Sequence, residues 1–136
     1  MDKEPMNEIK PVNESTVVNE SAIDYRFGDW GPKYLSRGPR IEFGMVILKP
    51  GQDFPTHYHQ RVEESFYTLE GIVQFYADAR EFTLKPGDHF RIEPGTIHYL
   101  INTGQESWRA IFVKSIHDPT DKVDVAWLPG QPLLKI

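Results

Sequence analysis

The stretch that decides the fold covers residues 51–71 and reads GQDFPTHYHQRVEESFYTLEG. It contains a His-x-His pair, His57 and His59, and after four further residues it reaches Glu64. In an extended segment alternate side chains point to the same face, so both imidazoles would lie side by side. Two such imidazoles are well placed to bind a divalent metal ion, and Glu64 can join them after a short turn.

A third imidazole extends this candidate metal site. His98 follows a turn, Pro94-Gly95, and opens an apolar segment that is typical of a strand. Three imidazole nitrogens and one carboxylate form a mixed nitrogen and oxygen ligand set. With no sulfur present, the set suits one Mn, Fe, Co, Ni or Zn ion and does not choose among them.

Short apolar runs separated by glycine and proline turns continue on both sides of this stretch. No window sustains helical periodicity over three turns, and the runs are rich in β-branched and aromatic residues. The pattern therefore predicts an all-β protein. Its candidate strands are residues 41–49, 64–69, 71–77, 81–85, 88–92, 97–102 and 108–116.

The length of 136 residues is that of one domain. Residues 1–24 carry six acidic and two basic residues and are expected to form a flexible arm or an edge strand around Ser15–Val18. The barrel is expected over 25–118. The tail, 119–136, is rich in proline and is expected to pack on the barrel as ordered coil or as a short edge strand.

Composition excludes several classes of function. The chain has no cysteine, which removes disulfides, thiolate catalysis, zinc fingers and iron–sulfur clusters. Its net charge is −5 with no basic stripe, so no nucleic-acid partner is expected. No apolar run is long enough to span a membrane, and no apolar stretch follows Met1, so we expect a cytoplasmic protein.

Two motifs in this chain resemble those of the cupin family. Gly51-(x5)-His57-x-His59-(x4)-Glu64-(x6)-Gly71 matches the first cupin motif at every position. The second cupin motif is represented by Gly87, Pro94-Gly95, His98 and Asn102, with Glu93 where the family has a proline. The two motifs cover residues 51–102.

The resemblance implies a small single-domain bacterial cupin, folded as a double-stranded β-helix or jelly-roll barrel with a metal ion inside. The implied ligands are His57, His59, Glu64 and His98. It also implies a homodimer formed through outer strands and a small-molecule substrate.

Catalytic groups are less clearly indicated than metal ligands. Glu63 can act as a base near the metal, replace Glu64 as the ligand, or simply be solvated. His89 and Arg91 share one strand face, which lines either the mouth of the cavity or the outer surface. His117 follows the last strong strand and is interpreted as structural or exposed.

Three functions are consistent with these residues. The first is Lewis-acid isomerisation or tautomerisation of a sugar, uronate or keto acid, with a nearby Glu or His moving the proton. The second is an iron-dependent dioxygenase, or a decarboxylase or lyase, on the same ligand set. The third is a non-catalytic module that binds a small ligand. The sequence favours an enzyme and does not separate the first two.

Overall fold

β-Strands make up about half of residues 16–134, which are the residues that the computed structural model describes. A single turn of 3-10 helix, Glu20–Ala22, precedes them. The strands in this range are β1 Gly31–Arg37, β2 Ile41–Leu48, β3 Asp53–His59, β4 Glu63–Glu70, β5 Val73–Ala77, β6 Arg80–Leu84, β7 His89–Ile92, β8 His98–Ile101, β9 Trp108–Ser115 and β10 Lys122–Asp124. The predicted all-β class is confirmed.

The strands form two five-stranded antiparallel sheets. The first has the order β1-β2-β9-β4-β7, and the second has the order β10-β3-β8-β5-β6. From β2 to β5 the chain alternates between the two sheets, and this wrapping produces the predicted double-stranded β-helix. The barrel interior is the space between the two inner sheet faces.

Alternating apolar residues along each strand fill this interior. On β9, Trp108, Ala110 and Phe112 are buried, whereas the residues between them are only half-buried. Val73 and Phe75 on β5 are fully buried in the facing sheet. The period of two in the sequence therefore identifies the inner face of these strands.

Two glycines permit close packing that a side chain would prevent. A Cβ on Gly44 would lie 2.2 Å from the Lys33 carbonyl oxygen and 2.5 Å from Phe112. Gly71 has φ +77°, and a Cβ there would lie 2.1 Å from the Ser107 carbonyl oxygen. Both contacts are too short for a real Cβ, so these positions require glycine.

Both ends of the described chain pack on the barrel. Glu20 forms ion pairs with Lys33 at 3.2 Å and with Arg109 at 2.6 Å. Residues 16–18 have no regular structure, and the rest of the predicted arm, 1–15, lies outside the described residues. In the tail, β10 forms the edge of the second sheet, and Thr56 donates a hydrogen bond to the Trp127 carbonyl.

Candidate metal centre

Three strands bring the four predicted ligands together. His57 and His59 lie on β3, and His98 opens β8 directly opposite His57 in the same sheet. Glu64 is the second residue of β4 in the other sheet, and its side chain faces inward. One ligand atom from each residue can be chosen so that all four atoms lie within 4.8 Å of one another. This grouping has the size of a single-ion site.

Backbone carbonyls orient two of the imidazoles. The Nδ1 of His57 lies 2.7 Å from the Pro55 carbonyl oxygen, and the Nδ1 of His98 lies 2.9 Å from the Thr96 carbonyl oxygen. A carbonyl can only accept, so each Nδ1 carries the proton and donates it. The Nε2 atoms of both rings therefore keep a free lone pair, which is the form that binds metal ions.

Buried ring nitrogens without hydrogen-bond partners mark the centre of the cluster. Both nitrogens of His59 and the Nε2 of His98 are buried and have no hydrogen-bond partner among the described residues. The nearest carboxylate oxygen is Oε1 of Glu64, at 3.5 Å from His59 Nε2 and 3.7 Å from His98 Nε2. Buried polar atoms are normally satisfied, so this arrangement fits a cation seated among the four side chains.

Three residues of the cluster, His57, Glu64 and His98, have the protonation states that a metal ion requires. Burial lowers the pKa of His57 to about 3, and it also lowers the pKa of His98. Burial alone would raise the pKa of Glu64, but the Lys114 ammonium and the neighbouring imidazoles outweigh it and lower that pKa to about 2. The His57 and His98 imidazoles are therefore neutral, and the Glu64 carboxylate is ionised, at neutral pH.

The cluster faces a cavity of about 200 Å³ between the sheets. The cavity extends from buried His98 to the exposed side chains of Arg26 and Lys122, so its mouth reaches solvent. Its inner wall is apolar and includes Val46, Phe54, Phe66, Leu100 and Phe112. A small molecule can therefore reach the cluster through a polar mouth and lie against apolar walls.

Polar cavity residues that the sequence analysis did not single out lie opposite the imidazoles. Lys114 on β9 is the cross-strand neighbour of both Glu42 on β2 and Glu64 on β4. Its Nζ donates a hydrogen bond to the Tyr34 hydroxyl at 3.0 Å. Burial would lower the pKa of Lys114, but the Glu64 carboxylate outweighs it and raises that pKa, so the ammonium stays charged. The alternation of side chains along β9 could have identified Lys114 from the sequence. It lies two residues after the inward-facing Phe112, so its side chain points to the same side of the strand.

Glu42 is a buried carboxylate in the same wall. It is 3% exposed and lines the cavity. His117 Nδ1 lies 2.5 Å from its Oε2, and Arg37 Nε lies 3.3 Å from the same oxygen. His117 thus has the structural role that the sequence analysis gave as one alternative.

The predicted catalytic residues Glu63, His89 and Arg91 lie elsewhere. All three are on the outer face of the first sheet, and none lines the cavity. Glu63 Oε2 is 2.5 Å from Arg91 Nε, and Arg91 also contacts Glu93 at 2.6 Å. Glu64, one position further along β4, faces inward instead. The catalytic roles of these three residues stay predictions without a contact to the cluster.

The second motif forms its turn despite Glu93. The Thr96 amide donates to the Glu93 carbonyl at 3.1 Å, which closes the turn. The Gly95 amide donates to the His59 carbonyl at 2.7 Å, so the turn is attached to the strand of the His-x-His pair. Asn102 donates to the carbonyls of Leu48 and Glu106, both at 2.8 Å, and orders the connection before β9.

The double-stranded β-helix and its cluster of three histidines and one glutamate together define a class of protein. A comparison with family models identifies the same class. The cupin domain model matches residues 44–114, which is just over half of the chain. The chain belongs to the cupin family.

Two curated relatives each match about half of the chain. Germin-like protein 5-1 from Oryza sativa subsp. japonica is 40% identical over 68 residues, covering 45% of this chain and 30% of that protein. Quercetin 2,3-dioxygenase from Bacillus subtilis is 30% identical over 70 residues, covering 51% of this chain and 21% of that protein. The match spans less than a third of either relative's length.

A solved structure shares the fold over most of the chain. A Klebsiella pneumoniae protein with a double-stranded β-helix domain superposes with a TM-score of 0.70 at 18% identity. The match covers 84% of this chain and all of that one. Among residues 16–134, no helix is long and apolar enough to cross a membrane.

Proposed function

We propose that this chain is a metal-dependent enzyme that isomerises or tautomerises a small metabolite, such as a sugar, a uronate or a keto acid. The observation that carries the proposal is the group of buried imidazole nitrogens without hydrogen-bond partners, gathered with Glu64 at a cavity that reaches solvent. Structural zinc sites are closed, whereas a catalytic metal needs such access.

His57, His59, Glu64 and His98 would hold one divalent ion per chain. Their donor atoms suit Mn, Fe, Co, Ni or Zn. A bound ion of this kind polarises a carbonyl or hydroxyl oxygen and makes the adjacent C–H bond more acidic. The protein's own part is to orient the substrate and to move the proton.

Glu42 is the proton-transfer group that the cavity offers. Its carboxylate is buried in the wall and is held by His117 and Arg37. In the proposed reaction Glu42 takes the proton from the hydroxyl-bearing carbon next to the substrate carbonyl, the hydroxyl proton passes to the carbonyl oxygen, and Glu42 returns its proton to the former carbonyl carbon. Nothing is oxidised or reduced overall, and positioned general bases contribute about 10²–10⁴-fold to such steps.

Proton exchange gives a direct test of this proposal. Protein loaded with Mn²⁺ or Zn²⁺ is incubated in D₂O with a panel of sugars, uronates and keto acids, and NMR follows deuterium incorporation next to the carbonyl. Glu42→Gln should slow incorporation by about 100-fold at unchanged metal content. Glu81→Gln, an exposed glutamate on β6, is the matched control.

The same assay evaluates the residues predicted from sequence. Glu63→Gln should have little effect if Glu42 is the base, because the Glu63 carboxylate pairs with Arg91 outside the cavity. Normal exchange in Glu42→Gln, combined with loss of exchange in Glu63→Gln, would contradict the assignment of Glu42.

A second function, an iron-dependent dioxygenase, is favoured by the 30% identity to quercetin 2,3-dioxygenase. Substrate-dependent oxygen uptake by the iron-loaded protein would support it over isomerisation. Release of CO₂ without oxygen uptake would instead support a decarboxylase. Saturable ligand binding with no turnover under any of these conditions would support the binding-module function.

We also propose a homodimer. Apolar residues of β2, β4 and β9 share the outer face of the first sheet, and Ile41 and Tyr67 on it are 47% and 44% exposed. Phe43, Ile111 and Val113 lie between them and are half-buried. An apolar patch of this kind is typical of an interaction surface. The cytoplasmic location stays a prediction from sequence.

A further inference from the structure

The charge balance of the cavity points to the class of substrate. Four basic side chains line it, against three acidic ones. The basic residues are Arg26, Arg37, Lys114 and Lys122, and the acidic residues are Glu42, Glu64 and Asp118. Their formal sum is +1, and a divalent ion in the cluster would raise it to +3.

Lys114 is the basic group deepest in this cavity. It lies between Glu42 and Glu64 in the cross-strand row. In the metal-free protein, the negative charges of these two carboxylates explain why a buried ammonium is present there. That explanation fails once a divalent ion binds, because Glu64 then becomes a ligand of the ion. Glu42 already accepts from His117 and Arg37. Within residues 16–134, the Lys114 ammonium then has only the neutral Tyr34 hydroxyl as a close hydrogen-bond partner.

The size and walls of the cavity limit what can supply the missing negative charge. Its volume of about 200 Å³ lies below the range of about 300–1,000 Å³ that is usual for pockets that hold drug-sized ligands. The aromatic rings of Phe54, Phe66 and Phe112 make the rest of the wall apolar. A molecule of a few carbon atoms with one anionic end fits this space.

We propose that the cavity selects small 2-hydroxy or 2-oxo carboxylic acids, with the carboxylate bound by the Lys114 ammonium and the Tyr34 hydroxyl. The oxygen on the adjacent carbon then faces the four-residue cluster. This inference rests on the proposed metal-dependent function, and it narrows the substrate to an acid.

Calorimetric titration tests the inference without an activity assay. Glycolate, lactate, glyoxylate and pyruvate are titrated into Mn²⁺-loaded protein, and each is compared with its uncharged amide. At least one acid should bind at least tenfold more tightly than its amide. The inference is overturned if no acid is preferred, and this comparison requires no variant.

Two variants then locate the anion site. Lys114→Met should remove the preference for the acid, and Tyr34→Phe, which deletes only the hydroxyl, should weaken acid binding about three- to tenfold. Lys85→Met, an exposed lysine paired with Asp88, is the control and should bind as wild type does. Retention of the full preference in a folded Lys114→Met protein would contradict the assignment.

Metal content is measured on each sample before titration. If wild-type protein takes up no divalent ion, the proposed function fails first. If the ion is present at one per chain and no acid is preferred, only the present inference fails.

Discussion

The single residues of the cluster are prepared for a cation by their surroundings. Carbonyl oxygens fix the tautomers of His57 and His98, and burial keeps these two imidazoles neutral. The Glu64 carboxylate stays ionised beside the Lys114 ammonium. His57 and His98 thus each have a lone pair, and Glu64 has a negative charge, available to a cation at the centre of the cluster.

Replacing one ligand should therefore weaken metal binding strongly. Loss of even an outer partner of a ligand costs about 10–100-fold in affinity, so His98→Ala should lower Mn²⁺ affinity by at least about 100-fold. His89→Ala, an exposed histidine on β7, serves as the control and should keep wild-type affinity. Equal Mn²⁺ affinities for the folded His98→Ala and His89→Ala proteins, measured by calorimetry, would show that His98 is not a metal ligand.

The pKa of His57 makes the metal-free protein sensitive to acid. The folded-state pKa is about 3, against 6.5 for an unperturbed histidine, so the unfolded chain binds more protons between these values. Stability is therefore full above about pH 6.5 and falls as the pH is lowered toward 3. Lowered pKa values of His98 and Glu64 act in the same direction.

Urea unfolding of chelator-treated protein measures this effect. The midpoint should fall between pH 7 and pH 5, above the range in which most carboxylates titrate. His57→Gln should make the fall smaller, whereas the exposed control His89→Gln should not. An unchanged midpoint between pH 7 and pH 5 would contradict the lowered histidine pKa values.

At the scale of elements, the tail supports the strands that carry the ligands. β10 pairs with β3 so that Lys122 lies opposite His59 and Asp124 lies opposite His57. Asp121, just before β10, is 4% exposed, and its Oδ2 accepts from the amides of residues 61 and 62 at 2.8 Å each. These amides belong to the turn between His59 and Glu64, so the tail fixes their separation.

Removal of the Asp121 carboxylate should loosen that turn. Asp121→Ala leaves two amides without their acceptor and should cost about 1–3 kcal/mol of unfolding free energy. Mn²⁺ affinity should also fall by about tenfold, as it does when an outer partner of a ligand is lost. Asp124→Ala, an exposed position on β10, should change neither quantity. A destabilised Asp121→Ala protein with wild-type Mn²⁺ affinity would limit Asp121 to a structural role.

The elements also show how far sequence reasoning reaches. The seven candidate strands all correspond to strands, because alternating apolar residues between glycine turns mark them clearly. Three strands, β1, β3 and β10, were not among these candidates. β1 contains Gly31 and Pro32, β3 contains Pro55 and few apolar residues, and β10 has only three residues, so none of them stands out.

The candidate site was likewise predictable in part. The spacing of two motifs identified the four clustered residues, because residues at a fixed spacing in a motif occupy fixed positions along the strands. Lys114, Tyr34 and Glu42 were missed because they come from β9, β1 and β2, whose lateral order depends on the assembled sheets. Glu63 was predicted from its position next to Glu64, and His89 and Arg91 were predicted from the strand face that they share. Strand parity directs them outward.

At the scale of the whole molecule, the two sheets have different outer faces. The outer face of the second sheet is partly covered by the tail, where Trp127 is 5% exposed and packs against Tyr76. The outer face of the first sheet has the half-exposed apolar row that includes Ile41 and Tyr67. A dimer formed through this row would leave the cavity between the sheets accessible.

Light scattering after size-exclusion chromatography tests the dimer. The chain has a mass of 15.8 kDa, so the dimer should give about 32 kDa. Tyr67→Lys places a charge in the apolar row and should yield a monomer that keeps its metal affinity. Ile72→Lys, at a similarly exposed position outside the row, should stay dimeric. A wild-type mass of 15.8 kDa at all concentrations would contradict the dimer.

The central claim is that His57, His59, Glu64 and His98 hold one divalent metal ion. Elemental analysis of untagged protein, purified without added metal or chelator, measures this most directly. Wild-type protein should contain close to one first-row divalent ion per chain, and a folded His57→Ala/His98→Ala variant should contain almost none. Equal metal content in the two proteins, or no uptake by the wild type after equilibration with Mn²⁺, Fe²⁺, Co²⁺, Ni²⁺ and Zn²⁺, would contradict the assignment.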